Sequence, residues 1–468
     1  MLLMAAAVVL THVAVVGPEG VVPDQSIVVS GNRIVDVGPA ATLETPADAR
    51  VVDLAGAFAI PGLWEMHAHL ASYPGALPLL VAYGVTGARD MGNATPKETA
   101  DLVKWRGEIA AQKRVGPRLV IAGPTLDGPR GSRNDARLYV TTAAEGRAAV
   151  ATALARGADF VKVHDWVGPE AYKGIVAAAR AAKVPVVGHT PAAIAARDVS
   201  EAGQRSIEHL GSAIGGFLLE ASRDEKAQRR EILQQMDAAR KAGSEEAFWK
   251  WAYGPAHVQA LLDGWNDAKA AALIQVFRKN HTWQCPTLTV LSPSVRPRSE
   301  AEGRFVFASA RAACVKTPPA GPGTAVSAAF ERKLRVVADM QRAGVPLLTG
   351  TDVSAPNAEA VEEFATCDVP LPGLSVHDEL EWLVTAGLTP AQALTAATLE
   401  PARYFGEERE AGRIAAGQRA DIVLLAADPL ADIRNTRQIR AVMAAGQYFD
   451  RATLDGFLEQ AAADAQTR

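Results

Sequence analysis

Short apolar runs separated by helix-compatible stretches fill the centre of the chain. Eight such runs can be counted, at residues 63–70, 84–92, 118–124, 159–165, 184–190, 205–210, 282–290 and 345–352. Apolar strands that alternate with Ala-rich helical segments are typical of repeated βα units and a parallel sheet. Eight units that close on themselves make a (β/α)₈ TIM-type barrel, an α/β fold whose active site lies where the strands end and the loops begin. We therefore expect the functional residues at the ends of these runs.

Runs rich in Val and Ile mark both ends of the chain. Residues 7–16 and 26–38 are predicted strands, and a Gly-Asn dipeptide inside the second run suits a tight hairpin turn. Residues 412–430 and 439–450 are strand runs punctuated by Gly and Pro. The predicted organisation is a small β-sandwich domain from residues 1–60 and 407–450, a barrel at 61–406, and a C-terminal helix or tail at 451–468.

One connection between the predicted strands is much longer than the others. About residues 213–281, between the sixth and seventh runs, are mostly charged and helix-compatible, and they include Trp249, Trp251 and Trp265. We predict a helical insertion near the site. Its tryptophans either pack the insertion against the barrel or contact an apolar part of a substrate.

Composition excludes several classes of partner. Lys and Arg total 48 against 52 Asp and Glu in 468 residues, and no basic run occurs, so neither nucleic acid nor an anionic membrane is an expected partner. No apolar run is long enough to cross a bilayer as a helix. The N-terminal apolar stretch continues into strand-like sequence without a preceding basic residue, which favours a cytoplasmic protein, with a trimmed secretory or periplasmic signal as the alternative. A small molecule is the expected partner.

Cysteine usage points away from a disulfide framework and from a thiolate zinc site. Cys285, Cys314 and Cys367 are far apart and form no CxxC pair. The expected metal ligands are therefore nitrogen and oxygen atoms.

A His-x-His pair occurs in the first of the eight runs. His67 and His69 are separated by one residue in a predicted strand, so both side chains point to one face with Cα atoms about 6–7 Å apart. Two imidazoles can then converge on one cation. A solvent-facing or hydrogen-bonded pair is the ordinary alternative, and the Pro-Gly turn that leads into this strand favours the metal site.

Lys162 lies inside the apolar strand DFVKV, where a barrel strand directs it to the interior. A buried ammonium without a partner is costly. The ordinary interpretation is a lysine paired with a carboxylate. The functional one is a neutral amine that reacts with carbon dioxide, because the resulting carbamate is an anionic oxygen ligand able to bridge two metals.

Three further polar residues close apolar runs. His189 lies in VPVVGHT, His209 lies in RSIEHL, and Asp352 ends LLTGTD. Barrel enzymes keep their chemistry at such positions, and neutral imidazole is a common zinc ligand. Each could instead be an ordinary half-buried histidine or a helix N-cap aspartate. Their occurrence after the His-x-His pair and the strand lysine favours a single metal site.

Together these motifs resemble the amidohydrolase superfamily, and within it the imidazolonepropionase-like branch with metal-dependent prolidases, Xaa-Arg dipeptidases and ochratoxin-hydrolysing amidases. The resemblance covers almost the whole chain, through SIVVSGNRIVDVG, PGLWEMHAHL, ADFVKVHD, VVGHTP, SIEHL, LLTGTD, HDELEWLVTAGLTPAQALTAATLEPARYFG and GRIAAGQRADIVLL. It implies two divalent metal ions, with zinc the first expectation. The implied ligands are His67, His69 and Asp352 on the more buried metal, His189 and His209 on the other, and carboxylated Lys162 as the bridge.

Glu65 departs from the pattern of this family, which more often has Asp two residues before the first histidine. Glu65 shares a strand face with His67 and His69, so we expect it to accept a hydrogen bond behind the metal ligands.

The resemblance also implies the chemistry. Hydroxide that bridges the metals would attack the amide or peptide bond of a dipeptide, an N-acyl amino acid or an ochratoxin-like aromatic amide. Asp352 would relay the proton to the departing amine. Family members often assemble as oligomers, so a homo-oligomer is expected. Candidate substrate contacts, for each of which structural packing is an equal alternative, are His164, Tyr139, Arg89 and His377.

Three alternatives stay open at this point. One is a mononuclear cyclic-amide hydrolase or deaminase on the same fold, against which Lys162 argues, because a one-metal site needs no bridge. Another is a lactonase or phosphotriesterase that uses the same two metals. The third is a non-catalytic scaffold, which would be expected to lose ligands, whereas all six positions are filled.

Overall fold

The computed structural model describes residues 7–212, 214–292, 298–313, 323–357 and 369–468. Its strands are β1 (Val8–Gly17), β2 (Gly20–Ser30), β3 (Arg33–Pro39), β4 (Arg50–Pro61), β5 (Leu63–Ala68), β6 (Val85–Asp90), β7 (Arg118–Ile121), β8 (Thr125–Asp127), β9 (Arg137–Tyr139), β10 (Val161–Val163), β11 (Val186–Gly188), β12 (Ser206–Glu208), β13 (Trp283–Cys285), β14 (Ile422–Leu425), β15 (Ile439–Ala444) and β16 (Gln447–Asp450).

The helices alternate with the central strands. They are α1 (Ala76–Ala82), α2 (Pro96–Ala110), α3 (Ala143–Ala155), α4 (Pro169–Ala182), α5 (Ala196–Glu201), α6 (Gly216–Glu220), α7 (Glu225–Ala242), α8 (Glu246–Ala252), α9 (Pro255–Asp263), α10 (Asp267–Lys279), α11 (Leu288–Leu291), α12 (Glu300–Gly303), α13 (Ala308–Ala313), α14 (Ala325–Ala343), α15 (Leu374–Thr385), α16 (Pro390–Ala397), α17 (Leu399–Phe405) and α18 (Arg451–Thr467). The mixed α/β fold is therefore as predicted. Among the described residues, no helix has the length and apolarity needed to span a membrane.

Local sequence explains where several of these helices begin and end. Helix α2 starts with a capping box in which Thr95 and Glu98 satisfy each other's free backbone N–H groups, and Pro96 occupies its first turn. Helix α14 ends at Gly344, whose φ of 80° closes the helix in the left-handed conformation. Such caps fix where each βα loop leaves its helix and thus position the strands that follow.

The central strands form two parallel sheets, with strand orders β5-β6-β7 and β13-β12-β11-β10-β8-β9. Backbone hydrogen bonds join the two sheets on both sides. The N–H of Asp159, just before β10, donates to the carbonyl of Ile121 in β7 at 2.8 Å. On the other side, residues 346–353 bond to β13 and to β5 at 2.8–3.0 Å. The edges at β5, β7 and β13 are thus paired with neighbouring segments, whereas β9 is the remaining edge strand.

The eighth predicted run is not a regular strand. Residues 345–352 make only isolated bridges to the strands on either side, Gln284 with Leu347 and, one residue further, Ala68 with Val353. Asp352 has a φ of 57°, and this left-handed residue interrupts the extended conformation. The other seven runs contain strands, although the run at 282–290 ends early and passes into α11.

Both chain termini contribute to one seven-stranded sheet of order β16-β15-β14-β4-β1-β2-β3. The predicted hairpin joins β2 to β3 through Gly31, which has a φ of 57°. Strand β4 was not predicted, yet it lies at the centre of the sheet. Side chains from both termini share a buried cluster that includes Leu10, Ile27, Ile422 and Met443.

Five helices, α6 to α10, occupy the long connection between β12 and β13. They bury a cluster around Phe248, whose ring lies 5.5 Å from that of Trp166. Trp249, Trp251 and Trp265 are partly buried against the same cluster. The insertion is therefore helical, and aromatic packing fixes it beside the loop that follows β10.

Candidate metal centre

His67 and His69 lie at the carboxyl end of β5, and Asp352 lies on the adjacent segment 346–353. Oδ1 of Asp352 is 3.1 Å from Nε2 of His67 and 3.1 Å from Nε2 of His69. One potential ligand atom from each residue lies within 4.8 Å of the other two. The structure thus brings together the three residues that the sequence assigns to one cation.

His209 follows β12 and joins this group. Its Nε2 is 3.7 Å from Oδ2 of Asp352, and its ring lies 4.6 Å from that of His67 and 4.8 Å from that of His189. His209 and Asp352 both have left-handed backbones, with φ of 56° and 57°. Such conformations cost roughly 1–3 kcal/mol in an L residue and cluster at functional sites.

The Nδ1 atoms of three histidines are bound behind the site. Nδ1 of His67 is 2.9 Å from Oε2 of Glu208, and Nδ1 of His69 donates to the carbonyl of Gly92 at 2.8 Å. Nδ1 of His209 is 2.7 Å from the hydroxyl of Thr287. Because Nδ1 is occupied in each ring, Nε2 is the nitrogen presented to Asp352. This is how proteins fix the orientation of metal-binding imidazoles.

Lys162 is almost fully buried in β10, with 1% of its surface exposed. No carboxylate among the described residues forms an ion pair with its Nζ. Burial lowers the pKa of Lys162, although Glu208 and Asp352 act in the opposite direction. Gly188 makes room for this side chain, since a Cβ there would lie 2.8 Å from Cδ of Lys162. The φ of 123° at Gly188 also disfavours any other residue.

His189, just after β11, forms a second group with His164 and Asp165. Nδ1 of His189 is 3.0 Å from Oδ1 of Asp165, which also accepts a hydrogen bond from Ser212 at 2.7 Å. Burial opposes ionisation of Asp165, but His189 holds the pKa of this carboxyl below its usual value. The ring of His164 lies 4.1 Å from that of His189. Nδ1 of His189 thus lies against Asp165 without a hydrogen bond of regular geometry among the described residues.

Glu208 is the fully buried carboxylate that anchors His67. Arg89 donates through Nη2 to both of its oxygens at 3.0 Å, and Ser206 donates to Oε1 at 2.6 Å. Burial opposes ionisation, but the guanidinium of Arg89 holds the pKa of Glu208 far below its usual range. Glu208 therefore stays charged and accepts a hydrogen bond from the protonated Nδ1 of His67, which leaves Nε2 without a proton.

Glu65 accepts hydrogen bonds from backbone groups rather than from an imidazole. Its Oε1 accepts from the N–H of His67 and the N–H of Thr351, both at 2.9 Å, and the hydroxyl of Thr351 donates to Oε2 at 2.6 Å. Burial raises the pKa of Glu65 to about 8, because these hydrogen bonds only partly offset it. The residue ties β5 to the segment that carries Asp352.

Burial also sets the protonation of the clustered side chains. It lowers the pKa of His67, and it lowers that of His209 well below its usual range, since the interior disfavours imidazolium. Burial opposes ionisation of Asp352 too, but His67 and His209 hold its pKa well below the usual value. At His69 burial acts in the same direction, but Asp352 outweighs it and raises the pKa. His67 and His209 beside the ionised Asp352 are therefore in the forms that bind a divalent cation.

Two predicted substrate contacts are corrected to supporting roles. Arg89 is fully buried, and it donates to Glu208, to Ser206 and to the carbonyl of Met66, so no part of it is exposed to a ligand. His377 is also fully buried. Its Nδ1 is 2.9 Å from the hydroxyl of Thr436, and its Nε2 donates to a backbone carbonyl at 3.1 Å.

The other two predicted contacts are partly exposed. His164 lies two residues after Lys162, with 16% of its side chain exposed. Tyr139 packs within its own loop, where its hydroxyl accepts from the N–H of Asn134 at 3.1 Å and its ring lies 4.6 Å from the guanidinium carbon of Arg133.

Comparisons with known proteins agree with the resemblance seen in the sequence. The model of the amidohydrolase family matches residues 320–448, the part of the chain that contains Asp352. This match agrees with the predicted superfamily and with the prediction of a hydrolase acting on C–N bonds. No curated protein sequence matches the chain significantly.

Solved structures with the same fold cover nearly all of this chain. A putative prolidase from Bifidobacterium longum is 23% identical with a TM-score of 0.65, over 98% of this chain and 99% of its own. A bottromycin amidohydrolase is 23% identical with a TM-score of 0.71, over 98% and 90%. An ochratoxinase from A. niger is 17% identical with a TM-score of 0.62, over 95% and 96%.

Sequence reasoning missed the residues that hold the histidines of this site in place. Glu208 and Asp165 each lie next to a predicted site histidine, and Thr287 lies inside the seventh run. A signal was available for Glu208, because a carboxylate inside an apolar strand requires a buried partner. The partners themselves lie on distant strands and could not be read from local sequence.

Proposed function

We propose that the chain is a binuclear metal-dependent amidohydrolase that cleaves the amide or peptide bond of a small substrate. One observation carries the proposal. Nε2 of His67 is buried without a hydrogen-bond partner among the described residues, and it lies 3.1 Å from a carboxylate oxygen of Asp352. An unsatisfied buried polar group costs about 1–3 kcal/mol. A cation bound between these two atoms removes that cost.

The donor set fits two divalent cations. It supplies imidazole nitrogens and carboxylate oxygens without thiolates, which suits zinc first and also manganese, cobalt or iron. Lys162 is buried without an ion-pair partner in the described part of the chain, as expected of a lysine that reacts with carbon dioxide to give a carbamate. The proposed ligands are His67, His69 and Asp352 for one ion, His189 and His209 for the other, and carboxylated Lys162 as the bridge.

We further propose that eight parallel segments close into a (β/α)₈ barrel. The segments are β5, β6, β7, β10, β11, β12, β13 and residues 346–353. The backbone hydrogen bonds between the two parallel sheets on both sides support this closure. The proposed domains are the barrel at 61–406 with its insertion at about 213–281, the β domain at 1–60 and 407–450, which was predicted as a sandwich and contains one seven-stranded sheet, and the C-terminal helix or tail at 451–468.

Bound divalent cations would supply polarisation of the substrate carbonyl and hydroxide near neutral pH. The chain supplies orientation and proton transfer. Oδ1 of Asp352 lies between His67 and His69, which leaves Oδ2 to take the proton of the attacking water and deliver it to the amine nitrogen. An amine leaves poorly without that proton. His164 and Tyr139 remain the proposed substrate contacts.

The proposed substrates are dipeptides, N-acyl amino acids and ochratoxin-like aromatic amides. The solved relatives include a prolidase, a Xaa-Pro dipeptidase and an ochratoxinase. Trp166 and Trp249 lie where the insertion meets the loop after β10, and aromatic rings there suit an apolar acyl or side-chain group. A homo-oligomer is proposed by the same resemblance.

Metal content and hydrolysis of defined substrates test the proposal together. Purified full-length protein, loaded with zinc in the presence of bicarbonate, is expected to hold about two ions per chain by elemental analysis. It should release amine from at least one member of a panel of Xaa-Pro, Xaa-Arg, N-acyl amino acid and aromatic amide substrates. One ion per chain would support the mononuclear hydrolase or deaminase instead. No bound ion would support a non-catalytic scaffold. Two ions with hydrolysis of lactones or phosphotriesters alone would reassign the substrate.

A further inference from the structure

A second cavity lies at the amino-terminal ends of the parallel strands, whereas the histidines lie at their carboxyl ends. Its volume is about 730 Å³, within the usual range for small-molecule pockets. Arg118 at the start of β7 and Arg205 just before β12 line it from the strands. Asn32 and Ala445 line it from turns of the terminal sheet. The cavity therefore contains none of the proposed metal ligands.

Positive charge dominates the wall of this cavity, which holds five arginines and three acidic residues. Four of the arginines have carboxylate partners: Arg33 pairs with Glu410, Arg106 with Asp159, and both Arg118 and Arg419 with Glu407. Arg205 forms no ion pair with any carboxylate among the described residues. Among the five arginines of the wall, Arg205 is thus the one whose charge is not balanced by a carboxylate in the described residues.

Arg205 is held in place by stacking and by one hydrogen bond. Its guanidinium carbon lies 4.9 Å from the ring centroid of Tyr404 and 5.5 Å from that of Trp283. Its Nη2 donates to the backbone carbonyl of Tyr404. Its Nε is buried and has no hydrogen-bond partner among the described residues. Because Nε is covered by protein, the cavity is lined by the rest of this fixed guanidinium, and a guanidinium without an ion pair is suited to bind a carboxylate.

Aromatic side chains supply the apolar part of the same wall. Phe405 is partly buried and lines the cavity, and Phe160 lines it with 2% of its surface exposed. A ligand that fills the cavity and binds Arg205 therefore also meets apolar side chains. Inorganic anions lack that surface, whereas an aromatic or branched carboxylate provides it.

We propose that this cavity is a second ligand site, which binds a small carboxylate bearing an aromatic or branched apolar group. The carboxylate bonds to the guanidinium of Arg205, and the apolar group packs against Phe160 and Phe405. The site involves no proposed metal ligand, so it stands whether or not the chain hydrolyses amides. Its ligand is of the chemical class that hydrolysis of an N-acyl amino acid would release.

The test uses 4-bromobenzoate with the full-length, metal-loaded protein. In crystals soaked with the compound, the anomalous signal of bromine is expected in the cavity, near Phe160 and Phe405. Bromine found only beside the histidines would show that the carboxylate binds the metal centre, and it would overturn the proposal. In solution, calorimetry gives the affinity of the same compound.

Matched variants assign the binding to Arg205. Arg205→Leu should weaken 4-bromobenzoate binding at least tenfold. Arg205→Lys should weaken it less, because lysine keeps the positive charge but cannot donate two parallel hydrogen bonds to a carboxylate. Arg106→Gln, in the same wall but already paired with Asp159, should stay within about threefold of the unmodified protein. Circular dichroism and the thermal midpoint check that each variant is folded. Unchanged affinity in folded Arg205→Leu, or in Arg205→Lys if the first variant does not fold, would overturn the proposal.

Discussion

The ion pair between Arg130 and Glu245 fixes the helical insertion to the loop after β8. Arg130 donates through Nε to the two oxygens of Glu245 at 3.1 and 3.0 Å, and through Nη1 to Asp127 at 3.1 Å. Glu245, which immediately precedes α8, also accepts from the hydroxyl of Ser132 at 3.1 Å. The two charged side chains are 10% and 9% exposed, so solvent screens them little. We predict that Glu245→Gln loosens the insertion.

The size of the effect follows from what the substitution removes. Glutamine keeps one acceptor oxygen but loses the charge, and a hydrogen bond to a charged group contributes about 1.5–3 kcal/mol. Breaking a buried ion pair outright costs about 3–5 kcal/mol. Arg130 keeps Asp127 as a partner, so we expect a loss of about 2 kcal/mol. That corresponds to local opening of the insertion about 30-fold more often.

Amide hydrogen exchange measures this opening directly. In Glu245→Gln, amides of α8 and α9 should exchange about 30-fold faster, while those of β5 and β10 stay unchanged. Glu246→Gln is the matched control, because Glu246 is the adjacent residue and is exposed. Exchange in Glu245→Gln within twofold of the control would refute the argument that this pair holds the insertion.

Three further predictions concern the proposed metal centre. Lys162→Ala should bind fewer than two metals per chain by elemental analysis and regain part of its activity with a small added carboxylic acid, whereas Lys162→Arg stays inactive because its cation repels the metals; two tightly bound metals in Lys162→Ala would contradict the bridge. Asp352→Asn should keep some metal but lose on the order of 10²–10⁴ in kcat, since an amide cannot relay a proton; near-normal kcat in the metal-replete variant would move proton transfer to another residue. Trimming Trp249 to Trp265 should change relative kcat/KM across substrates without changing metal content, and unchanged rates on every substrate would remove the insertion from the site.

Sequence periodicity predicted most of the central strands because their pattern is local. Seven of the eight apolar runs contain a strand, since a continuous apolar segment bounded by turns is buried wherever it folds. The run that ends at Asp352 has the same composition but lacks a regular strand. Its left-handed aspartate depends on contacts with β5 and β13, which local pattern does not contain. Strand β4 was missed for a related reason, because its pairing partners come from both chain termini.

The six proposed ligands could be read from the sequence because each ends or interrupts an apolar strand. Their supporting partners could not. Arg89 was taken as a possible substrate contact, yet it pairs with Glu208, which lies 119 residues further along the chain. β6 and β12 belong to different sheets, so only the packing of the two sheets brings these two charges together. An arginine in an apolar strand signals a buried partner, but the signal does not say whether that partner is a ligand or a carboxylate.

Strand β12 carries residues of the arginine-lined cavity at its amino-terminal end and of the histidine cluster at its carboxyl end. Side chains alternate along a strand, so Ser206 and Glu208 share one face and both bond to Arg89. Arg205, just before the strand, lines the arginine-rich cavity, while His209, just after it, reaches Asp352 because its left-handed backbone turns the chain. A one-residue shift of this strand would remove the acceptor of His67 and displace His209 together. The pairing of Arg89 with Glu208 therefore fixes the register on which the histidine cluster depends.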